Sequence, residues 1–325
     1  MLATSSSTSG IIEQGSKSFA SAARLFPADK RASVHRLYAW CRHCDDQIDG
    51  EVLGFGEGPF DQHQAASRLA RIRVETMNAI AGCADAPSFV ALQEVLEKHS
   101  IPPQYPLDLL EGMAIDVEGR PFQTIDDTLT YSYHVAGSVG VMMAMILDVR
   151  DSATLQRACD LGIAFQLTNI ARDVVSDARR GRTYLPADWL REVGVHPAHV
   201  AHAEVRPCVF KVARRVLCLS DVYYRSAVVG IRKLPLRSSW AIASALRIYR
   251  CIGVKLAARG AAAWDKRIET GRSRKIISIG IAAIDVVSAR LMQSERSSVA
   301  RDGLWTPSIL DAGSRLATSE RRRLP

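Results

Sequence analysis

Apolar residues recur at spacings of three and four along most of the chain, while alternating runs joined by hairpin turns are scarce. The pattern predicts helices near 11–25, 28–50, 61–82, 87–99, 104–117, 125–147, 152–180, 206–231, 237–259 and 273–292. The breaks between them fall at punctuating residues: Pro27-Ala28-Asp29, Gly54 to Pro59, Pro102-Pro103, Asp148 to Asp151, Gly181 and Pro235. The chain is therefore expected to be all-α. No internal repeat and no Pro- or Gly-rich linker divides it, so residues 11–292 are expected to form one helical domain. From 293 to 325, Ser, Arg, Gly and Asp mix with scattered apolar residues and end in Arg321-Arg322-Arg323, which reads as a loosely ordered basic tail.

With 325 residues, 47% of them hydrophobic and 23% charged, the chain can bury a full core. Its longest apolar run, Val139 to Leu147, falls short of the roughly 18 residues that a membrane span needs. Met1 to Gly10 has neither the basic start nor the apolar centre of a secretory signal, and the seven cysteines are irregularly placed. Reduced thiols and a cytoplasmic location are the expectation. Cys41-x-x-Cys44 lacks a second pair to complete a zinc site and reads as helix packing. The formal charge of +8 is unevenly spread: residues 206–275 hold 17 basic and three acidic residues, leaving −6 for the rest. Such a face fits an anionic membrane or a diphosphate. Nucleic acid is not expected, because the basic residues interleave with core-like apolar ones and no binding motif accompanies them.

The chain contains two Asp-x-x-x-Asp pairs, Asp45/Asp49 and Asp173/Asp177, each on a predicted helix. Residues four apart share a helix face, so each pair presents two carboxylates together. Each also ends a longer polar stripe, Tyr38-Arg42-Asp45-Asp49 on the first helix and Gln166-Asn169-Asp173-Asp177 on the second. The surrounding positions are mostly apolar, so the stripes should line a cavity. Oxygen-rich clusters of this kind suit Mg²⁺ or Mn²⁺ bound jointly with substrate phosphates, and Arg42 and Arg172 would grip phosphate oxygens. Together they point to metal-dependent departure of a diphosphate.

The run Gly15-Ser16-Lys17-Ser18-Phe19, the segment Leu37 to Asp49, Tyr131 to Gly137, Phe165 to Asp177 and Gly181 to Pro186 together resemble the squalene and phytoene synthase family. The likeness spans roughly residues 11 to 268, and Leu234 to Ser238 and Trp264 to Arg267 look like its bacterial phytoene-forming branch. This resemblance implies a single-domain type I isoprenoid-synthase bundle around a central cavity. It also implies head-to-head condensation of two geranylgeranyl diphosphates, through a cyclopropyl diphosphate, to the C40 carotenoid precursor. On the same grounds Asp45, Asp49, Asn169, Asp173 and Asp177 would hold two or three divalent cations. Arg42 and Arg172 would bind phosphate, with Gln166 in support. Ser16, Phe19, Tyr38 and Tyr131 would sit at the reacting end, Tyr249 and Arg267 would close over the phosphates, and Val135, Ala136 and Gly140 would line the cavity wall. Expected partners are the prenyl diphosphate, the inner face of an anionic membrane and downstream carotenoid enzymes.

Three other readings are weighed beside this one. A chain-elongating prenyl diphosphate synthase would fit Asp45-Asp46-Gln47-Ile48-Asp49, but Asp173-Val-Val-Ser-Asp177 lacks the second adjacent Asp. A squalene or dehydrosqualene synthase, acting on farnesyl diphosphate, shares all the motifs. A non-catalytic helical membrane-surface scaffold would use the Asp pairs only to solvate helices. Asp46 lies about 100° off the first stripe and is expected to stand behind it or in solvent.

Overall fold

Helical periodicity becomes helix over most of the described chain. The structure, a computed structural model, describes residues 22–50, 62–266, 268, 270–291, 301, 303–307 and 310. Its α-helices are α1 (Ala28–Asp49), α2 (Gln62–Ile80), α3 (Pro87–His99), α4 (Gln104–Glu118), α5 (Ile125–Ser132), α6 (Ser138–Ile146), α7 (Ser152–Arg179), α8 (Ala187–Glu192), α9 (Arg206–Ile231), α10 (Leu236–Arg259) and α11 (Arg272–Leu291). No strand occurs among the described residues. The expected helix at 11–25 falls outside them up to residue 21; Ala22-Ala23 are helical, and Arg24 and Leu25 are already in a turn.

Two local differences from the periodicity matter for the site. The helix expected over 125–147 is broken into α5 and α6 by a π-helical turn, Tyr133–Gly137. The short α8 and the 3₁₀ turn Gly260–Trp264 were not foreshadowed, because each is too short for a period to show. Helix starts follow their chemistry. Thr124 and Asp127 form a reciprocal capping box at α5, and Asp151 accepts the Thr154 N–H at 3.0 Å to open α7.

The apolar flanks of α7 are buried all along its length, from Leu155 through Ile163, Leu167 and Ile170 to Val174. This helix is the axis of the fold: α9 packs along it most extensively, and α6, the π turn and α10 complete its surroundings. On the other side α1 packs on α3, α2 and α6. The two acidic helices, α1 and α7, make no extensive contact with each other, and α6 packs against both. The two polar stripes thereby sit on helices that are joined through α6.

The crossing of α6 and α7 adds to one expectation, because a side chain at Gly140 would meet the Ala158 carbonyl oxygen at 2.5 Å, so its smallness serves the helix crossing. Gly162 is likewise needed because the Ala136 carbonyl oxygen lies 2.2 Å from where its Cβ would be. A second expectation, the loose tail, is corrected where the chain is described. Arg301 donates to both carboxylate oxygens of Asp160, at 2.7 and 2.8 Å, and Asp160 is fully buried. Leu310 is buried, its carbonyl accepts from Gln156 at 3.1 Å, and Trp305 lies 5.8 Å from the Tyr133 ring. A buried carboxylate requires a partner, and this segment supplies it.

Candidate active site

Along α1, Tyr38, Arg42 and Asp49 are half-buried and Asp45 is open, whereas Leu37, Trp40, Cys44 and Ile48 are in the core. Along α7, Gln166, Asn169, Arg172, Asp173 and Asp177 are half-buried between fully buried neighbours. Each expected stripe is thus a polar strip beside the buried apolar face of its helix.

The two strips are linked through charge. Asp45 feels Asp49 and Asp116, and Asp116 feels Asp49 and Arg182. Asp177 in turn feels Asp173, Arg182, Arg172 and Asp116. Arg172 is acted on by Tyr249, and Tyr249 acts on Tyr38, which neighbours Asp45. The groups therefore form one electrostatic circuit across α1, α4 and α7. Asp45 is open to water yet crowded by protein. Burial, opposed by Arg42 and reinforced by Asp49, pushes its carboxyl up to about 7. Burial together with Asp173 raises Asp177 to about 7 as well.

Direct bonds hold the circuit. Arg172 forms a two-point ion pair with Asp173, with its Nε 2.9 Å from Oδ1 and its Nη2 on Oδ2. Arg42 donates to Asp46 Oδ1 at 2.6 Å, so Asp46 stands behind the stripe as the partner of its arginine. Tyr249 stacks on Phe165, with centroids 4.3 Å apart. Trp264 donates to the Ala171 carbonyl at 3.1 Å, which docks the segment after α10 onto α7.

Three groups in the circuit were not foreseen as site residues: Arg182, Asp116 and Tyr184. Gly181 adopts a left-handed conformation (φ +80°), which turns the chain after α7 so that Arg182 reaches Asp49 Oδ1 at 2.9 Å. Burial would lower the Arg182 pKa, but Tyr184, Asp116 and Asp49 outweigh it and hold it up. Asp116, on α4, accepts hydrogen bonds from Tyr131 and Tyr184, both at 2.8 Å, and burial raises its carboxyl above the usual range. The Tyr131 and Tyr184 rings stack at 4.8 Å. Arg182 and Tyr184 belong to the Gly181–Pro186 segment, which carried the only available signal. Asp116 stands alone in its sequence neighbourhood and had none.

Tyr131, Val135 and Ala136 are placed on or beside the π turn. Val135 fills the space left by Gly112, its Cγ1 2.6 Å from where a Cβ would be. Ser16, Phe19 and Arg267 lie outside the described residues. Cys41 and Cys44 are free, and burial pushes both thiols well up, as packing cysteines require.

The residues fit a hard divalent cation. Asn169 Oδ1 is buried with no hydrogen-bond partner, and it is the kind of oxygen such an ion takes. Among the described residues no three His, Cys, Asp or Glu side chains converge on one point. Each Asp pair would accordingly share its ion with substrate oxygens and water.

The sequence matches the family model described as squalene/phytoene synthase over residues 12–274. It is 50% identical over 280 residues to a 15-cis-phytoene synthase of Enterobacter agglomerans, covering 86% of this chain and 95% of that one. It is 49% identical over 296 residues to the 15-cis-phytoene synthase of a Paracoccus species, covering 91% and 95%. Among solved structures, a dehydrosqualene synthase in complex with ligand superposes with a TM-score of 0.78 at 26% identity, covering 87% and 96%. A squalene synthase from Alicyclobacillus acidocaldarius shares the fold, with a TM-score of 0.64 at 21% identity over 78% and 94%. On the family match and these identities, the chain belongs to the squalene/phytoene synthase family.

Proposed function

We infer that this chain is a prenyltransferase of the 15-cis-phytoene synthase type, acting in carotenoid biosynthesis by head-to-head condensation of two geranylgeranyl diphosphates with release of diphosphate. Family membership and about 50% identity to bacterial 15-cis-phytoene synthases over most of the chain carry this reading. Squalene and dehydrosqualene synthases remain its nearest alternatives, because they share the bundle. The site supports the reading through its layout: two carboxylate strips and two arginines facing one space, backed by an apolar bundle.

In the proposed assignment Asp45, Asp49, Asn169, Asp173 and Asp177 hold two or three Mg²⁺ or Mn²⁺ ions together with the diphosphate. When bound, these cations neutralise the diphosphate and make it a better leaving group. Arg42 and Arg172 bind phosphate oxygens; each is already oriented by a carboxylate, Asp46 or Asp173. Arg182 ties Asp49 on α1 to the end of α7 and so sets the spacing of the two strips. Tyr38 and Tyr249 flank the reacting end, and burial holds the Tyr38 hydroxyl well above its ordinary range, so Tyr38 stays neutral. Tyr131 and Tyr184 are held above their ordinary range by burial and donate to Asp116, which fixes the wall beside Arg182. Apolar residues around Val135, Ala136 and Phe165 exclude water, as an allylic cation requires. Ser16, Phe19 and Arg267 join the substrate site in this proposal, as does a place at the inner face of an anionic membrane beside downstream carotenoid enzymes.

The test is to incubate the purified chain with geranylgeranyl, farnesyl and isopentenyl diphosphates separately, with and without reduced nicotinamide, and to identify the hydrocarbon. Phytoene from the C20 substrate without nicotinamide is the expected product. A C30 hydrocarbon formed in preference to it would overturn the chain-length assignment.

A further inference from the structure

Helix α11 is built inside out. Its buried stripe is narrow and small, Ser278, Ala282 and Val286, and seats the helix on α10. The large aliphatic residues point the other way. Ile276 is 70% exposed, Ile277 58%, Ile281 39%, Ile284 65%, Val287 46% and Leu291 78%. At about 100° per residue these six positions fall within a sector of roughly 140°, continuous along the helix. Helix packing does not explain this face, because the residues that touch α10 lie on the opposite side. A run of six exposed aliphatic side chains marks an interaction surface.

The charge around the face identifies its occupant. Arg272 and Arg274 are exposed at the start of α11. At its other end Arg290 donates to the Leu234 carbonyl at 2.5 Å, which brings Leu291 towards the α9–α10 corner, where Arg232 and Arg237 are exposed. The one acidic residue of α11, Asp285, is already engaged by Arg247. An aliphatic stripe flanked by cations is the pattern of a helix lying in the interface of an anionic bilayer. A second copy of this chain fits poorly, because exposed arginines stand at both ends of the face, so a two-fold contact through α11 would set arginine against arginine in either helix direction. The face also lacks exposed aromatic side chains, which protein interfaces favour as anchors. We propose that α11 docks this protein on anionic lipid, with Ile276, Ile277, Ile281, Ile284, Val287 and Leu291 entering the acyl boundary and Arg272 and Arg274 engaging headgroup phosphates.

This rests on the membrane part of the proposed function and is independent of its catalytic part. The experiment is flotation of the full chain with phosphatidylglycerol/phosphatidylcholine vesicles and with pure phosphatidylcholine vesicles, at low and high salt. In parallel, turnover is measured on substrate in detergent micelles. The wild type floats with the anionic vesicles and less so at high salt, and I277D/I284D loses about tenfold or more of that binding. The conservative pair I276S/L291S weakens binding in the same direction. Both variants melt like the wild type and keep micellar turnover, since the substituted positions are already in solvent. Flotation of I277D/I284D equal to wild type overturns the proposal, as does wild-type protein that ignores anionic vesicles at low salt. A wild-type dimer in sedimentation that I277D/I284D dissociates would assign the face to a second copy instead. Loss of micellar turnover in the wild type would sink the catalytic reading and leave flotation to decide the docking.

Discussion

Asp173 carries two duties at once: it lies on the polar strip of α7 proposed to hold cations, and it takes both hydrogen bonds of Arg172. Asp173→Asn keeps the volume and part of that hydrogen bonding but removes the charge that would hold a cation. Turnover should fall by at least about 10²–10³, the scale of losing one electrostatic contributor to a transition state, with the circular dichroism unchanged. Near-normal turnover at saturating Mg²⁺ would contradict the metal assignment. The pH dependence follows from Asp45 and Asp177, both raised to about 7. A carboxyl raised in the folded state binds more protons there than in the unfolded chain between about pH 4 and 7. Without cation, stability should therefore fall as pH rises through that window. Cation binding needs both carboxylates ionised, so apparent Mg²⁺ affinity should rise with pH through about 7, and Mg²⁺ should flatten the loss of stability. Thermal melts from pH 5 to 8, in chelator and in Mg²⁺, measure both; a flat chelator series would refute the argument. The acidic pairs were legible because carboxylates four apart share a helix face whatever the tertiary structure. Asp116 and Arg182 were not, because their place depends on α4 crossing near α1 and on the turn at Gly181, neither of which has a local signature.

At the scale of elements, helix periodicity located α1 to α7 and α9 to α11 to within a few residues, because each carries several turns of apolar repeat. It could not show the π turn Tyr133–Gly137. That turn is accommodated by glycines on two other helices, Gly112 on α4 and Gly162 on α7, so its cause lies far away in sequence. Gly140 makes room for a helix, which its sequence neighbourhood does not show. Gly140→Ala should destabilise by about 1–3 kcal/mol through overpacking, since the atom it meets is a backbone oxygen that a rotamer change cannot move. Denaturant unfolding would show this, and an unchanged midpoint would contradict it. The tail was misjudged for a related reason: its polar composition hides Arg301, whose partner Asp160 is buried 141 residues earlier. Arg301→Ala leaves that carboxylate without its arginine and should cost about 3–5 kcal/mol, the range for removing one side of a buried pair. Asp160 keeps a hydrogen bond from Ser226, so the lower end is favoured.

The whole molecule holds two acidic helices apart. α1 belongs with α2 and α3, α7 with α9 and α10, and α6 packs against both, while Arg182 to Asp49 is a polar tie across the space between them. Burial, the neighbouring carboxylate on the same strip and Asp116 between them raise both Asp45 and Asp177, which means that gathering these carboxylates costs free energy until positive charge is added. A diphosphate alone brings more negative charge to that space, and cations alone leave oxygen positions to be filled by water. Each should therefore bind weakly without the other and strongly in its presence, a positive coupling of about 1–3 kcal/mol. Thermal shift with Mg²⁺, with a non-reactive prenyl diphosphate analogue, and with both measures it, because a ligand that binds only the folded chain raises its stability by an amount set by its affinity. The shift with both present should exceed the sum of the two single shifts, and Asp45→Asn should abolish the excess while leaving the stability of the unliganded chain intact or slightly raised. Strictly additive shifts would mean that cation and diphosphate occupy separate places, and the two strips would then not form one site.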